Sequence, residues 1–179
     1  GMKLSLQLIS RLLPAECEQA HAEIEQLRSN VRRSAIQMRD LSKRLRPPTL
    51  DQLGFENALN QLASDFENRG DIRFHIFSVR DLPQLPDEMA TAFYRIAQEA
   101  LTNVIRHAQA TDVWLRVTFD GLILRLEIED NGTGFDTESA HHGLGLLGMR
   151  ERVAILGGVL DIESTSDGTK IRAGVTLDG

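Results

Sequence analysis

Leu122-Ile123-Leu124-Arg125-Leu126-Glu127-Ile128-Glu129-Asp130-Asn131-Gly132-Thr133-Gly134-Phe135 carries a strand pattern that runs into an acidic residue and then into glycines. Leu122, Leu124, Leu126 and Ile128 recur with the period of two that marks a half-buried β-strand. Asp130 is in phase with them, so alternation turns its carboxylate toward the buried face at the strand's end. A buried carboxylate without partners costs several kcal/mol, so something must donate hydrogen bonds to it. Asp130-Asn131-Gly132 also has the composition of a hairpin turn, which would require a second alternating strand at once. The chain instead gives Thr133-Gly134-Phe135-Asp136 and a polar, glycine-bearing stretch. Asp130 therefore reads as a binding group and not as turn chemistry.

Upstream of that strand lies another, with Val113, Leu115, Val117 and Phe119 in alternation. Before it, Pro86 opens a helix reaching about Ala108, whose core stripe is Met89, Phe93, Ile96, Ala97, Ala100, Leu101 and Val104. Glu99, Asn103 and His107 are spaced i, i+4, i+8 and form one polar stripe beside the apolar one. A carboxylate and an amide one turn apart are suitable oxygen ligands for Mg²⁺, although a solvated helix face is the ordinary reading of such a stripe. Further upstream, Phe55, Leu59, Leu62 and Phe66 mark an amphipathic helix closed by Gly70, and Ile72 to Val79 is β-rich.

Downstream, Gly143-Leu144-Gly145-Leu146-Leu147-Gly148 leads into a helix from about Met149 to Leu156, ended by Gly157-Gly158. Glycines allow close backbone approach, and a helix N-terminus offers free N–H groups to an anion. The run is neither a Walker A loop nor a dinucleotide fingerprint. A last hairpin turns at Asp167-Gly168, with Ile171, Ala173, Val175 and Leu177 facing inward. One-sided strands with nearby helices give an α+β, two-layer sandwich.

The N-terminal part is helical. Leu4, Leu8 and Leu12 form a stripe that Pro14 interrupts. From Ala20 a heptad follows, with Ile24, Val31, Met38 and Leu45 at one position and Ala20, Leu27, Ser34 and Leu41 at the other, ending at Pro47-Pro48. A single hairpin cannot bury such a seam, so pairing with a second copy into a four-helix bundle is expected. The domains divide at residues 1–47, a partial helical hairpin, and 48–179. Within the 179 residues the formal charge of −6 argues against nucleic acid as a direct partner. The single cysteine, Cys17, excludes an internal disulfide, and no apolar run reaches the ~20 residues of a membrane span.

Three features in this order resemble the two-component sensor histidine kinases, within the superfamily that also holds gyrase, the Hsp90 chaperones and MutL. Arg95 to Ala108 is similar to the family's N box, Asp130 to Phe135 to its G1 box, and Gly143 to Arg152 to its G2 box. Leu45 to Phe55 resembles the linker of the subfamily containing the nitrate sensors and the desaturase-regulating thermosensor. The resemblance implies a Bergerat-type ATP-binding fold over residues 48–179, with ATP and Mg²⁺ as cofactors. It implies that Asp130 accepts from the adenine amine, with Thr169 nearby through a water. Asn103 would coordinate Mg²⁺, Glu99 would support the metal, and His107 would approach the phosphates. Gly132 and Gly134 would let the backbone close over the base. Phe135 to Leu147 would form a lid, with Gly143, Gly145, Leu146 and Gly148 near the phosphates.

The same resemblance implies a homodimer formed through the N-terminal helices and a response-regulator receiver domain as partner. It places the phospho-acceptor histidine ahead of residue 1, because Leu4 to Leu8 is similar to the leucine-rich stretch that follows it; His21 lies beyond Pro14 and does not fit. The chain is thus expected to bind Mg·ATP without phosphorylating itself, and to sit in the cytoplasm, with an inner-membrane sensor as one form of its parent. Two other readings stand beside this one. An ATP-hydrolysing relative would use Glu99 to activate water, and a nucleotide-independent dimerisation module would show no thermal response to Mg·ATP.

Overall fold

A computed structural model describes residues 20, 23, 24, 26, 27, 46–68, 72–78, 82–136 and 144–177. The chain divides into two compact units, Gly1–Arg46 and Pro47–Gly179. In the first, the described residues around Ile24 are helical; Ile24 is buried and Leu27 half exposed. The heptad positions from Val31 onward, Cys17 and His21 lie outside the described residues.

The second unit opens with helix α1, Pro48–Glu67. The proline pair expected to stop the preceding helix also starts this one, since proline at the first helical position loses no hydrogen bond. Two helical pieces meet at Gly54, whose φ of 74° and ψ of 173° belong to a region that residues with a Cβ avoid. Leu50, Ala58, Leu59, Leu62 and Phe66 face the core, and Phe55 sets its ring edge-on to Phe93 at 6.4 Å. Strand β1 (Arg73–Ser78) and helix α2 (Asp87–Asn103) follow, the helix carrying Asp87 and Glu88 at its positive end. The expected stripe from Met89 to Val104 is buried throughout. A π-helical turn, Val104–Ala108, ends the helix, and Gln109 at φ 54° turns the chain out of it.

Next come strands β2 (Asp112–Phe119) and β3 (Ile123–Asp130), helix α3 (Leu144–Ile155), and strands β4 (Val159–Thr165) and β5 (Gly168–Thr176). The sheet order is β1-β2-β3-β5-β4, with β1 and β2 parallel across the α2 crossover and every other pair antiparallel. Side chains of α1, α2 and α3 share one core with the inward residues of the sheet, giving the two expected layers. The opposite face carries a charged ladder in which Arg116 bonds Glu127 and Glu129, and Arg172 reaches Glu127, Asp161 and Glu163.

Two expectations of detail change. Leu122 is not the first inward residue of β3: it is 57% exposed, in the turn between β2 and β3. The Asp120 carboxylate there accepts from the N–H groups of Ile123 and Leu122 and from Arg125, which lowers its pKa to about 2. Helix α3 starts at Leu144, five residues before the expected Met149, so Gly145 and Gly148 lie inside it.

Candidate functional site

Helix α2 places Glu99 and Asn103 one turn apart, and the π turn carries His107 after them. All three line one cavity of about 400 Å³ between the helices and the sheet. Asp130, at the end of β3, and Thr169, its register partner on β5, line the same cavity. So do Gly134, Gly145 and Leu146. Residues far apart in sequence thus converge because β3 and β5 are neighbours and α2 and α3 both lie over them.

Asp130 is 7% exposed, as strand phase required. Its Oδ1 accepts from the Gly132 N–H at 2.9 Å, and the Thr169 backbone N–H also donates to the carboxylate. Burial nevertheless wins and pushes its pKa upward. The backbone therefore supplies part of the donation that the sequence left open, while the residue still borders the cavity.

Gly132 does not line the cavity. It passes so close to Ala108 that a Cβ would collide with the Ala108 carbonyl, and this approach lets the Thr133 N–H bond that carbonyl at 2.8 Å. Gly134 does line it, at φ 62°, against the Thr165 carbonyl. Gly145 lies directly over the Glu99 carboxylate, whereas Gly148, beside the Arg152 guanidinium, does not itself line the cavity. Gly143 and most of the expected lid, residues 137–143, fall outside the described residues.

Sequence reasoning missed the apolar part of this wall. Ile128 and Ile171 line it next to Asp130 and Thr169, beside the partly exposed ring of Phe135, where the expected lid begins. Ile128 was recoverable, since it shares the phase of Asp130 two residues on. Also missed was the cluster behind Asn131. Asp112 takes hydrogen bonds from His75 at 3.0 Å, Arg73 at 2.9 Å and Thr111 at 2.8 Å, which hold its carboxyl well below the usual range. Asn131 Oδ1 accepts from the N–H groups of Thr111 and Asp112, tying the loop after Asp130 to the start of β2.

Glu99 and Asn103 side chains have no hydrogen-bond or ion-pair partner among the described residues. Among those residues no group of three or more His, Cys, Asp or Glu could hold a metal by itself. A carboxylate and an amide free to turn toward a shared cavity fit a Mg²⁺ that takes its other ligands from water and phosphate.

Residues 88–178 match the family described as histidine kinase-, DNA gyrase B-, and HSP90-like ATPase, and residues 1–50 match a family described as histidine kinase. The chain belongs to the histidine-kinase-like ATPases. It is an ATP-binding domain of the histidine-kinase type joined to a segment of the histidine-kinase dimerisation and phospho-acceptor kind. A sensor histidine kinase of Rhizobium johnstonii, MctS, is 35% identical over 97% of this chain and 38% of its own length. The histidine-protein kinase/phosphatase DegS of Bacillus subtilis is 33% identical over 88% of this chain and 43% of its own. Among solved structures, the kinase domain of a blue-light activated histidine kinase from Erythrobacter litoralis superposes with a TM-score of 0.60 at 27% identity, covering 69% of this chain and 61% of that one. The chain spans about two fifths of the length of these curated relatives.

Proposed function

We propose that the cavity between α2, α3 and the sheet holds Mg·ATP, as the catalytic site of a sensor histidine kinase. The observation that carries this is the meeting of Asp130 and Thr169 with Glu99, Asn103 and His107 around one partly apolar cavity. The Asp130 carboxylate accepts from the exocyclic amine of adenine, and Thr169 adds a water-mediated contact. Asn103 ligates Mg²⁺, and Glu99 holds the metal or its waters. His107 approaches the phosphates, as do Gly145, Leu146 and Gly148 of α3 and Gly143 ahead of them in the sequence. Gly132 and Gly134 allow the loop to close over the base, and residues 135–147 act as a lid. Mg²⁺, when bound, would neutralise charge on the phosphates. Positioning and electrostatics do most of the work in phosphoryl transfer, which suits polar groups gathered around one cavity.

In the intact protein the γ-phosphate passes to a histidine of the helical part and then to an aspartate of a response-regulator receiver domain. Two copies associate through the N-terminal helices. The module works in the cytoplasm, its parent being an inner-membrane sensor or a soluble one; no described helix is long and apolar enough to cross a membrane.

Calorimetry with Mg·ATP tests the site. Asp130→Asn replaces an acceptor by an amide of the same shape, and should weaken binding by about 10- to 100-fold while circular dichroism is unchanged. Unchanged affinity would refute the adenine assignment.

A further inference from the structure

Asp130, Thr169 and Ser164 stand in one row across β3, β5 and β4, as register partners of one another. Alternation puts all three side chains on the helix-facing side of the sheet. Ser164 does not line the cavity. Its Oγ accepts from the Phe135 N–H at 2.8 Å and lies 3.0 Å from Thr169 Oγ1, which does line it. Gly134 brings the chain down onto this strand: a Cβ there would lie 2.9 Å from Ser164 Oγ and strike the Thr165 carbonyl. The result is a closed circuit. It runs from Asp130 through the loop to Phe135, across to Ser164, on to Thr169, and back to Asp130 through the Thr169 N–H.

We infer that Ser164 is a positioning residue for nucleotide binding, fixing both the Thr169 hydroxyl beside the base and the backbone at Phe135 where the lid begins. A hydroxyl has one proton and two lone pairs, so Ser164 can serve Phe135 and Thr169 together, and alanine can serve neither. Without it, the Thr169 hydroxyl is free to rotate and the Phe135 amide loses its acceptor. This rests on the ATP reading above, and deepens it by naming a residue that acts on the nucleotide only through two others.

The test is a double-mutant cycle in the full chain, using Mg·ATP and calorimetry. Ser164→Ala should weaken binding about five- to tenfold, as should Thr169→Val, and the double variant should be no worse than the weaker single by more than about twofold. Ser164→Thr should restore affinity to within about twofold of the parent, because it keeps the hydroxyl. Hydrogen exchange at the Phe135 amide should quicken in Ser164→Ala and not in Thr169→Val, a difference that a general loss of stability would not produce. If Ser164→Ala fails to fold, Ser164→Cys, close in size and a far weaker hydrogen-bond partner, takes its place with the same thresholds. Single effects that multiply in the double variant, or a Ser164→Ala affinity equal to the parent's, overturn the inference while leaving the ATP site standing. A parent chain that does not bind Mg·ATP overturns both.

Discussion

At Asp130 the fold and the ligand ask for opposite protonation states. Burial raises its pKa above the ordinary value of 3.8, against the Gly132 and Thr169 N–H groups that pull it down. The fold therefore favours the protonated carboxyl. That contribution to folding stability is complete below the ordinary value and is lost as pH rises through the raised one. An adenine amine bonds the ionised acceptor more strongly than the neutral one, so ATP affinity should fall as pH drops through the same raised value. Calorimetry at steps descending from neutral pH toward the ordinary value of 3.8 should show affinity decreasing toward acid. The residual binding of Asp130→Asn should show no matching decrease, and parallel curves for the two proteins would exclude titration of this carboxyl as the cause. Asp112 responds in the other sense. Its depressed pKa contributes stability that is present above the ordinary value of 3.8 and is lost only as pH falls below it, so the two carboxylates titrate on different sides of that value.

At the scale of elements, the strands and α2 were legible because burial enforces a period, of two in β2, β3 and β5 and near 3.6 in α2. The failures occur where periodicity is silent. Leu122 continues the leucine alternation, yet the Asp120 carboxylate captures its N–H and holds it in a turn. Gly145 and Gly148 argued for a loop, since each glycine costs a helix interior about 1 kcal/mol relative to alanine. Helix α3 nevertheless includes them, and a Cβ at Gly145 would meet the Glu99 carboxylate where it now lies, so the side chain would have to move aside. Nothing in the residue order announces the π turn at Val104–Ala108, because no repeat of that period is present. Asp130 was singled out because a polar group on an apolar phase stands out, and Glu99 and Asn103 because they form a polar stripe one turn apart beside the core; Ser164 was not, because a serine near a strand end draws no notice until Phe135 is seen beside it. The junction within α1 was likewise hidden, and it makes a clean test. A Cβ added at Gly54 meets nothing within 4 Å, so any loss in Gly54→Ala comes from the backbone conformation alone. The cost should be about 1–3 kcal/mol, seen as a Tm lower by several degrees, with ATP affinity unchanged. An unaltered Tm would mean that α1 straightens at no cost.

For the whole molecule, the chain divides into two compact units, Gly1–Arg46 and Pro47–Gly179. Every residue lining the cavity falls between Glu99 and Ile171, and the ATPase family match over residues 88–178 lies inside the same unit. Among the described residues, the shared core of α1, α2, α3 and the sheet is drawn from the same unit. Nucleotide binding should then be a property of residues 47–179, and self-association a property of the heptad seam ahead of them. A chain cut to residues 47–179 is expected to sediment as a monomer and to bind Mg·ATP within about threefold of the full chain. Because only the folded state binds, both proteins should gain about 2.7 kcal/mol at a nucleotide concentration 100-fold above Kd, and their melting points should rise accordingly. The full chain should also sediment as a dimer, and the mass should shift toward monomer when Ile24→Asp places a charge in the seam. A shortened chain that folds but binds ATP more than about tenfold weaker would assign part of the site to the N-terminal helices. A shortened chain that still dimerises would move the association surface from the heptad onto the sheet or its helices.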